Sequence, residues 1–217
     1  MISSAGLPSG KIFHMDIHPV TLPGRAARLE PLSEKHVADL TVAGQDQSIW
    51  RHMPYGPIDN EDRMRWLVRE LLGRQAHGAD LPFAVIQLET GQAVGMTRYM
   101  DIQVAHRGLE IGGTWYSPAC QRTAVNTECK YMLMTYAFET FQCIRVQLKT
   151  DLRNERSQKA IERIGAVREG VLRNNLIMPD GYFRSSVYFS VLAAEWPAVK
   201  AKLEEKLGYQ FAVASSQ

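Results

Sequence analysis

Glu110-Ile111-Gly112-Gly113-Thr114-Trp115-Tyr116-Ser117-Pro118, continued by Ala119-Cys120-Gln121-Arg122-Thr123-Ala124-Val125-Asn126-Thr127, is the stretch on which the fold turns. It predicts a strand over Leu109–Tyr116, stopped by Pro118, then an irregular loop. A long amphipathic helix starts near Asn126 or Thr127 and runs to Phe141. The N–H groups of a helix's first turn have no partner inside the helix and carry the positive end of its dipole, so they suit a phosphate. Arg122 adds a side-chain charge at the same place. On these residues alone two readings stay open, an anion site and a plainly capped helix.

Downstream, Ile144–Thr150 alternates as a strand and leads into Asn154-Glu155-Arg156-Ser157-Gln158-Lys159-Ala160-Ile161-Glu162-Arg163-Ile164-Gly165-Ala166. Helical spacing puts Asn154, Ser157 and Ile161 on one face and Lys159 and Arg163 on another. Gly165 suits the left-handed position that ends a helix. Here too a capping Asn with a solvated basic face competes with a ligand-facing helix. Val171–Met178 and Arg184–Val191 form a hairpin around Pro179-Asp180-Gly181, and Ala193–Leu207 closes as a helix.

Upstream, Ala27–Leu32 reads as a strand and Ser33 caps a short helix to Val42. Asn60 caps a helix whose Met64, Leu67, Val68, Leu71 and Leu72 recur at helical spacing. Phe83–Leu88 and Ala93–Ile102 flank a short connection with Gly91. Residues 1–24 read as a loose arm, 25–207 as one domain, and 208–217 as a tail. The order β-α-α-β-β-β-α-β-α-β-β-α mixes hairpins with strand–helix–strand units, which implies an α/β (α+β) domain on a mixed sheet.

Composition narrows the function. A net charge of +2 over 217 residues carries no basic stripe, which argues against nucleic acid and an anionic membrane surface. No stretch approaches the ~20 apolar residues of a membrane-spanning helix. Cys120, Cys129 and Cys143 lack CxxC spacing, so neither a disulfide framework nor a metal site is expected, and the expected location is cytoplasmic.

In this order and with this topology, the two segments resemble the GNAT superfamily of N-acetyltransferases, and within it the branch of bacterial ribosomal-protein N-terminal acetyltransferases. The first family motif, V-x-P-x-x-(R/Q)-G-x-G-x-(G/A), falls on Tyr116, Pro118 and Gln121; the second, N-x-x-(A/S)-x-x-x-(Y)-x-x-x-G-(F/A), on Asn154, Ser157, Ile161, Gly165 and Ala166. The resemblance implies a mostly antiparallel central sheet of about seven strands, flanked by helices and split in a V between the Leu109–Tyr116 and Ile144–Thr150 strands. It implies acetyl-CoA as co-substrate, its pantetheine arm along Trp115 and Tyr116 and bound by Asn154. Its pyrophosphate would rest on the loop of Gln121, Arg122, Thr123, Ala124, Val125, Asn126 and Thr127, with Lys159 nearby.

Two departures stand out. Ala124 and Asn126 replace both loop glycines, which in the family let the backbone approach phosphate closely. Ile161 stands where many relatives carry a tyrosine acid, leaving Ser157 to serve the departing thiolate. Glu110 is the candidate base, either facing the reaction or merely facing solvent; Asp101 and His106 are alternatives. Trp50, Tyr55, Trp66 and Trp115 are candidates to line an acceptor pocket, with a core position favoured for Trp66, and Arg98 and Tyr99 are candidates to meet an acidic acceptor. The expected activity is acetyl transfer to a primary amine of a small molecule or a protein N-terminus. The alternative is an acyl-CoA-binding sensor or scaffold without turnover. Whether the last hairpin and helix make a homodimer is open.

Overall fold

The computed structural model describes residues 15–209, so positions 1–14 of the expected arm and 210–217 of the tail lie outside the described residues. One eight-stranded sheet runs through it in the order β1-β2-β3-β4-β5-β6-β8-β7. Its strands are β1 (Leu22–Pro23), β2 (Ala27–Pro31), β3 (Leu81–Gln87), β4 (Ala93–Gln103), β5 (Gly108–Tyr116), β6 (Arg145–Asp151), β7 (Val167–Ile177) and β8 (Phe183–Leu192). Every neighbouring pair is antiparallel except β5 and β6. The strand that brings the number to eight is the two-residue β1, which pairs Leu22 with Leu29.

The helices α1 (Val37–Ala43), α2 (Glu61–Ala76), α3 (Ala124–Thr135), α4 (Glu155–Arg163) and α5 (Trp196–Leu207) divide between the two faces. Tyr99, Leu109, Ile111, Leu148 and Phe189 of the sheet pack with Leu133 of α3, Ile161 of α4 and Leu203 of α5. On the opposite face Ala84, Ile86, Met96 and Trp115 pack with Leu40 of α1 and Met64 and Leu67 of α2. That second core draws only on β3, β4 and β5. The β6–β8 half therefore presents polar side chains on the α1/α2 side, among them Gln147, Lys149 and Tyr188.

Local chemistry sets the helix starts. Asn60 Oδ1 accepts the Arg63 N–H at 2.9 Å, and Glu61 and Asp62 sit at the positive end of α2. Thr123 Oγ1 accepts from Val125 N–H, so α3 begins at Ala124, earlier than the apolar periodicity suggests. An additional 3₁₀ segment, Gln47–His52, follows Asp46, whose carboxylate accepts from Ser48 N–H; it has too few periodic residues to be legible in sequence. Trp66 is not in the core: it is 43% exposed, with the Arg63 guanidinium 4.5 Å from its ring. One residue turns a helix by about 100°, which carries Trp66 off the Met64/Leu67/Val68/Leu71 stripe.

Two features of β5 position the site. Its parallel pairing with β6 covers Gly108/Arg145, Leu109/Val146 and Glu110/Gln147 and then stops, although the strands continue to Tyr116 and Asp151. Beyond Glu110 the sheet is split. Opposite, the β4 pairing jumps from Met96/Trp115 to Arg98/Gly112, so β5 carries one extra residue. Gly113 takes up this bulge at φ +58°, a conformation that costs glycine little and other residues more.

Candidate functional site

The wide end of the split is bounded by the loop after β5 and the first turn of α3. Gln121 ties the loop down by donating its side-chain N–H to Tyr116 O at 3.0 Å, and Thr123 Oγ1 donates to Cys120 O at 2.7 Å. The N–H groups of Thr123, Ala124 and Asn126 have no acceptor among the described residues. Free first-turn amides suit an anion, and Arg122, Thr123 and Ala124 beside them are exposed. The two glycine replacements are not a conformational problem, because Ala124 and Asn126 are helical. The left-handed residue of the loop is Arg122, at φ +64°.

On the other arm of the V, Asn154 caps α4 by accepting the Ser157 N–H on Oδ1 at 3.1 Å. The cap reading of Asn154 is thus correct, and its side-chain NH₂ is left for another acceptor. Ser157 is half-buried in the first turn, Lys159 is exposed, and Ile161 is buried in the core. Since Leu109 and Ile111 share the core with Ile161, Ser157 lies on the α3/α4 side of the sheet and the intervening Glu110 points to the α1/α2 side. The two candidate catalytic side chains approach the split from opposite faces.

Glu110 does not face solvent; it is 1% exposed. Lys149 Nζ and Gln147 Nε2 each donate to its Oε2 at 2.9 Å. Its Oε1 occupies space left by Gly112, where a Cβ would come within 2.8 Å of it. The carboxylate therefore sits at the vertex of the V, held on one oxygen. Behind the bulge, on the α3 face, Lys130 Nζ donates to Thr114 Oγ1 at 2.8 Å, and that hydroxyl lies 2.8 Å from Thr97 Oγ1. Burial brings the Lys130 ammonium down to about 8.

Other sequence candidates scatter. Trp115 and Trp50 are both 4% exposed and pack ring to ring in the second core, so Trp115 offers the split only its backbone. Tyr116 is buried on the other face, where desolvation raises its phenol well above the ordinary value. Tyr99 is fully buried and does not line the split, its OH donating to Leu133 O at 2.6 Å in the opposite core. Asp101 and His106 are exposed beyond the closed end of the V. Cys120 is buried, with Gln87 Oε1 as its sulfur's partner. His77 ends α2 by contacting Gly73 O. Tyr55 and Arg98 are together, with the Arg98 Cζ 5.8 Å from the tyrosine ring.

Sequence reasoning did not find Lys149, Lys130, Asp80, Asp151 or Arg184. Each is a charged side chain that is buried or mostly buried, on a strand, a helix or, for Asp80, just before β3. The signal available was a charge at an inward position of an alternating pattern, visible only once register is known. Among the described residues no group of His, Cys, Asp and Glu is placed to hold a metal ion, and no helix is long and apolar enough to cross a membrane.

Against known proteins, residues 27–167 match the model of the acetyltransferase (GNAT) domain. The chain is 27% identical over 173 residues to a Bacillus subtilis protein named "Putative ribosomal N-acetyltransferase YdaF", covering 79% of this chain and 92% of that one. A crystal structure described as that of a "putative acetyltransferase" from T. thermophilus superposes with a TM-score of 0.81 at 39% identity, over 89% of this chain and all of that one. The RimJ protein of Mycobacterium smegmatis, solved in complex with CoA-disulfide, shares the fold at 21% identity and a TM-score of 0.72, over 88% of this chain and 93% of that one. With its split sheet, its open α3 amides and a family match across the elements that form both, this chain belongs to the GNAT acetyltransferase domain family.

Proposed function

We propose that the protein transfers the acetyl group of acetyl-CoA to a primary amine in a ternary complex. The observation that carries this reading is the end of β5–β6 pairing at Glu110/Gln147. It leaves the Ile111–Tyr116 edge of β5 open beside the uncommitted amides of α3. An extended amide-bearing arm fits such an edge and a pyrophosphate fits such a helix start. A RimJ protein of the same fold was solved with CoA-disulfide, which fits a CoA-type ligand for this fold. The thioester supplies an activated acyl carbon; the rest falls to the chain's side chains and backbone.

Asn154 and the β5 edge hold the arm, and Thr123 to Thr127 with Arg122 and Lys159 hold the phosphates. The attacking amine enters from the α1/α2 face, where Glu110 takes up its proton directly or through water. The carbon–sulfur bond breaks toward the α3/α4 face, where Ser157 hydrogen-bonds the departing sulfur. Ile161 cannot donate a proton there. A protein that binds acyl-CoA at this site without turnover is the second reading, and Ile161 in place of a phenol favours it.

Acetyl-CoA is expected to raise the melting temperature of the protein by binding its folded state. Ala124→Asp, which sets a carboxylate at the first turn of α3, is expected to abolish the shift. No shift for the unmodified protein at millimolar acetyl-CoA would sink both readings. Thiol release over a panel of amines and N-terminal peptides separates them, since the binder releases none. Ser157→Ala is expected to lower kcat roughly tenfold with acetyl-CoA affinity nearly unchanged, the size of effect that loss of one transition-state hydrogen bond gives. An unchanged kcat with chemistry rate-limiting would assign the thiolate to water.

A further inference from the structure

The α1/α2 side of the split is roofed by the chain between the Gln47–His52 segment and Gly56. This loop is fastened at both ends. Arg63 Nη2 donates to Tyr55 O at 3.2 Å, and the Arg184 Nη1 of β8 donates to His52 O at 3.2 Å. Gly56 also faces Pro179 of the β7–β8 turn, 3.8 Å from a Cβ placed on the glycine. Tyr55 meets Arg98, whose guanidinium lies 3.2 Å from where a Cβ on Gly113 would stand. His52 and Tyr55 are three residues apart, a span of at most about 11 Å, so Arg98 and Arg184 flank one short piece of roof.

The carboxylates beneath this roof are each engaged by more than one basic group or amide. Glu110 is matched by Lys149, but Asp80 is shared by Arg74 and Arg98, at 2.8 and 3.1 Å. Asp151 pairs with Arg153 at 2.9 Å and attracts Arg184 only at longer range. Arg98 and Arg184 are each 6% exposed. Arg98 Nη1 and His52 Nδ1 are buried with no hydrogen-bond partner among the described residues, the latter 3.8 Å from Asp151. A buried guanidinium N–H without an acceptor is costly, and an anion entering from the split supplies one.

We propose that Arg98 and Arg184 form an anion subsite that selects acceptors carrying a carboxylate near the amine. This rests on the acetyl-transfer reading of the split for its role, though not for its existence. The carboxylate comes either from a free amino acid or from an acidic side chain beside a peptide's N-terminus. Holding it against Arg98 and Arg184 leaves the amine to be directed toward Glu110 and the open β5 edge.

The test compares kcat/KM for L-alanine against L-alaninamide, and for the amidated peptides Ala-Asp-Asp against Ala-Asn-Asn. At least one carboxylate partner is expected to be preferred tenfold or more, and the pair in which this occurs identifies the source. Arg184→Gln and Arg98→Gln are expected to collapse that preference, mainly through KM. Ratios below threefold in both pairs overturn the subsite, a result that needs no variant to fold. A binding measurement keeps the two readings separate: N-acetyl-L-alanine or N-acetyl-Ala-Asp-Asp should raise the melting temperature more than its neutral counterpart. If no amine is acetylated but this difference appears and Arg184→Gln removes it, the subsite stands and the transfer reading falls. If the difference is absent as well, both fall.

Discussion

Glu110→Gln is expected to lower kcat/KM at pH 7 by about 10²-fold, within the range that a positioned general base contributes. Amine acceptors titrate between about 8 and 10, so at pH 7 most of the acceptor carries a proton that must leave before attack. Glu110 lies at the vertex of the split with Oε2 held by Lys149 and Gln147, which leaves Oε1 as the oxygen free to meet an ammonium or a water. Glutamine keeps the shape but takes no proton. Raising the pH toward 9 is expected to recover part of the loss, because more acceptor is then already deprotonated. The variant also leaves Lys149 without its carboxylate, so its melting temperature should be measured alongside. A profile matching the unmodified protein from pH 6 to 9 would reduce Glu110 to a partner for Lys149 and send the proton out by another route.

The second large effect is on stability and involves no site residue. Glu128 on α3 is 1% exposed and accepts three successive backbone N–H groups, those of Arg25, Ala26 and Ala27, at 2.7 to 2.8 Å. Tyr209 also donates its OH to this carboxylate, and the Arg25 guanidinium lies 4.2 Å from the Tyr209 ring. One side chain thus joins the start of β2, the middle of α3 and the segment after α5. Gly24 is required beside it, since a Cβ there would stand 2.4 Å from Ala27 O and 2.7 Å from the Glu128 carboxylate. Glu128→Ala removes the acceptor of all three amides, that of Ala27 buried and those of Arg25 and Ala26 part-buried. Each unsatisfied buried donor costs about 1–3 kcal/mol, reduced where water enters the space left behind. A net loss of about 3–5 kcal/mol is expected, a fall of roughly 10 °C in melting temperature for a domain of this size. A fall of less than about 2 °C in a thermal scan would mean that water replaces the carboxylate fully.

The sequence by itself determined the architecture and the two segments proposed to hold the cofactor. Alternation over β3 to β6 and helical spacing over α2, α3 and α4 are local patterns, because the side-chain period of each element follows from its own backbone geometry. The loop after β5 and the Asn154 cap were legible for the same reason: a helix's first amides depend on a few neighbouring residues. The boundaries were less so. Thr123 starts α3 through a hydroxyl contact that no hydrophobic period reveals.

Only the tertiary structure decided which face each strand residue occupies, and with it the acceptor side. Arg98 and Tyr99 are adjacent in sequence, yet one lies under the roof loop and the other donates its hydroxyl to Leu133 in the opposite core. A bulge at Gly113 shifts the register of β5 against β4, so a count along the strand from Glu110 does not predict what Thr114 will face. Lys149, Asp151 and Arg184 look like ordinary surface charges in the sequence. They become a buried set because β6 and β8 come together across an intervening helix and strand, and because the loop before α2 folds over them. Long-range pairing and the desolvation it imposes are properties of the assembled sheet, and the electrostatic character of the acceptor side exists only once that sheet has formed.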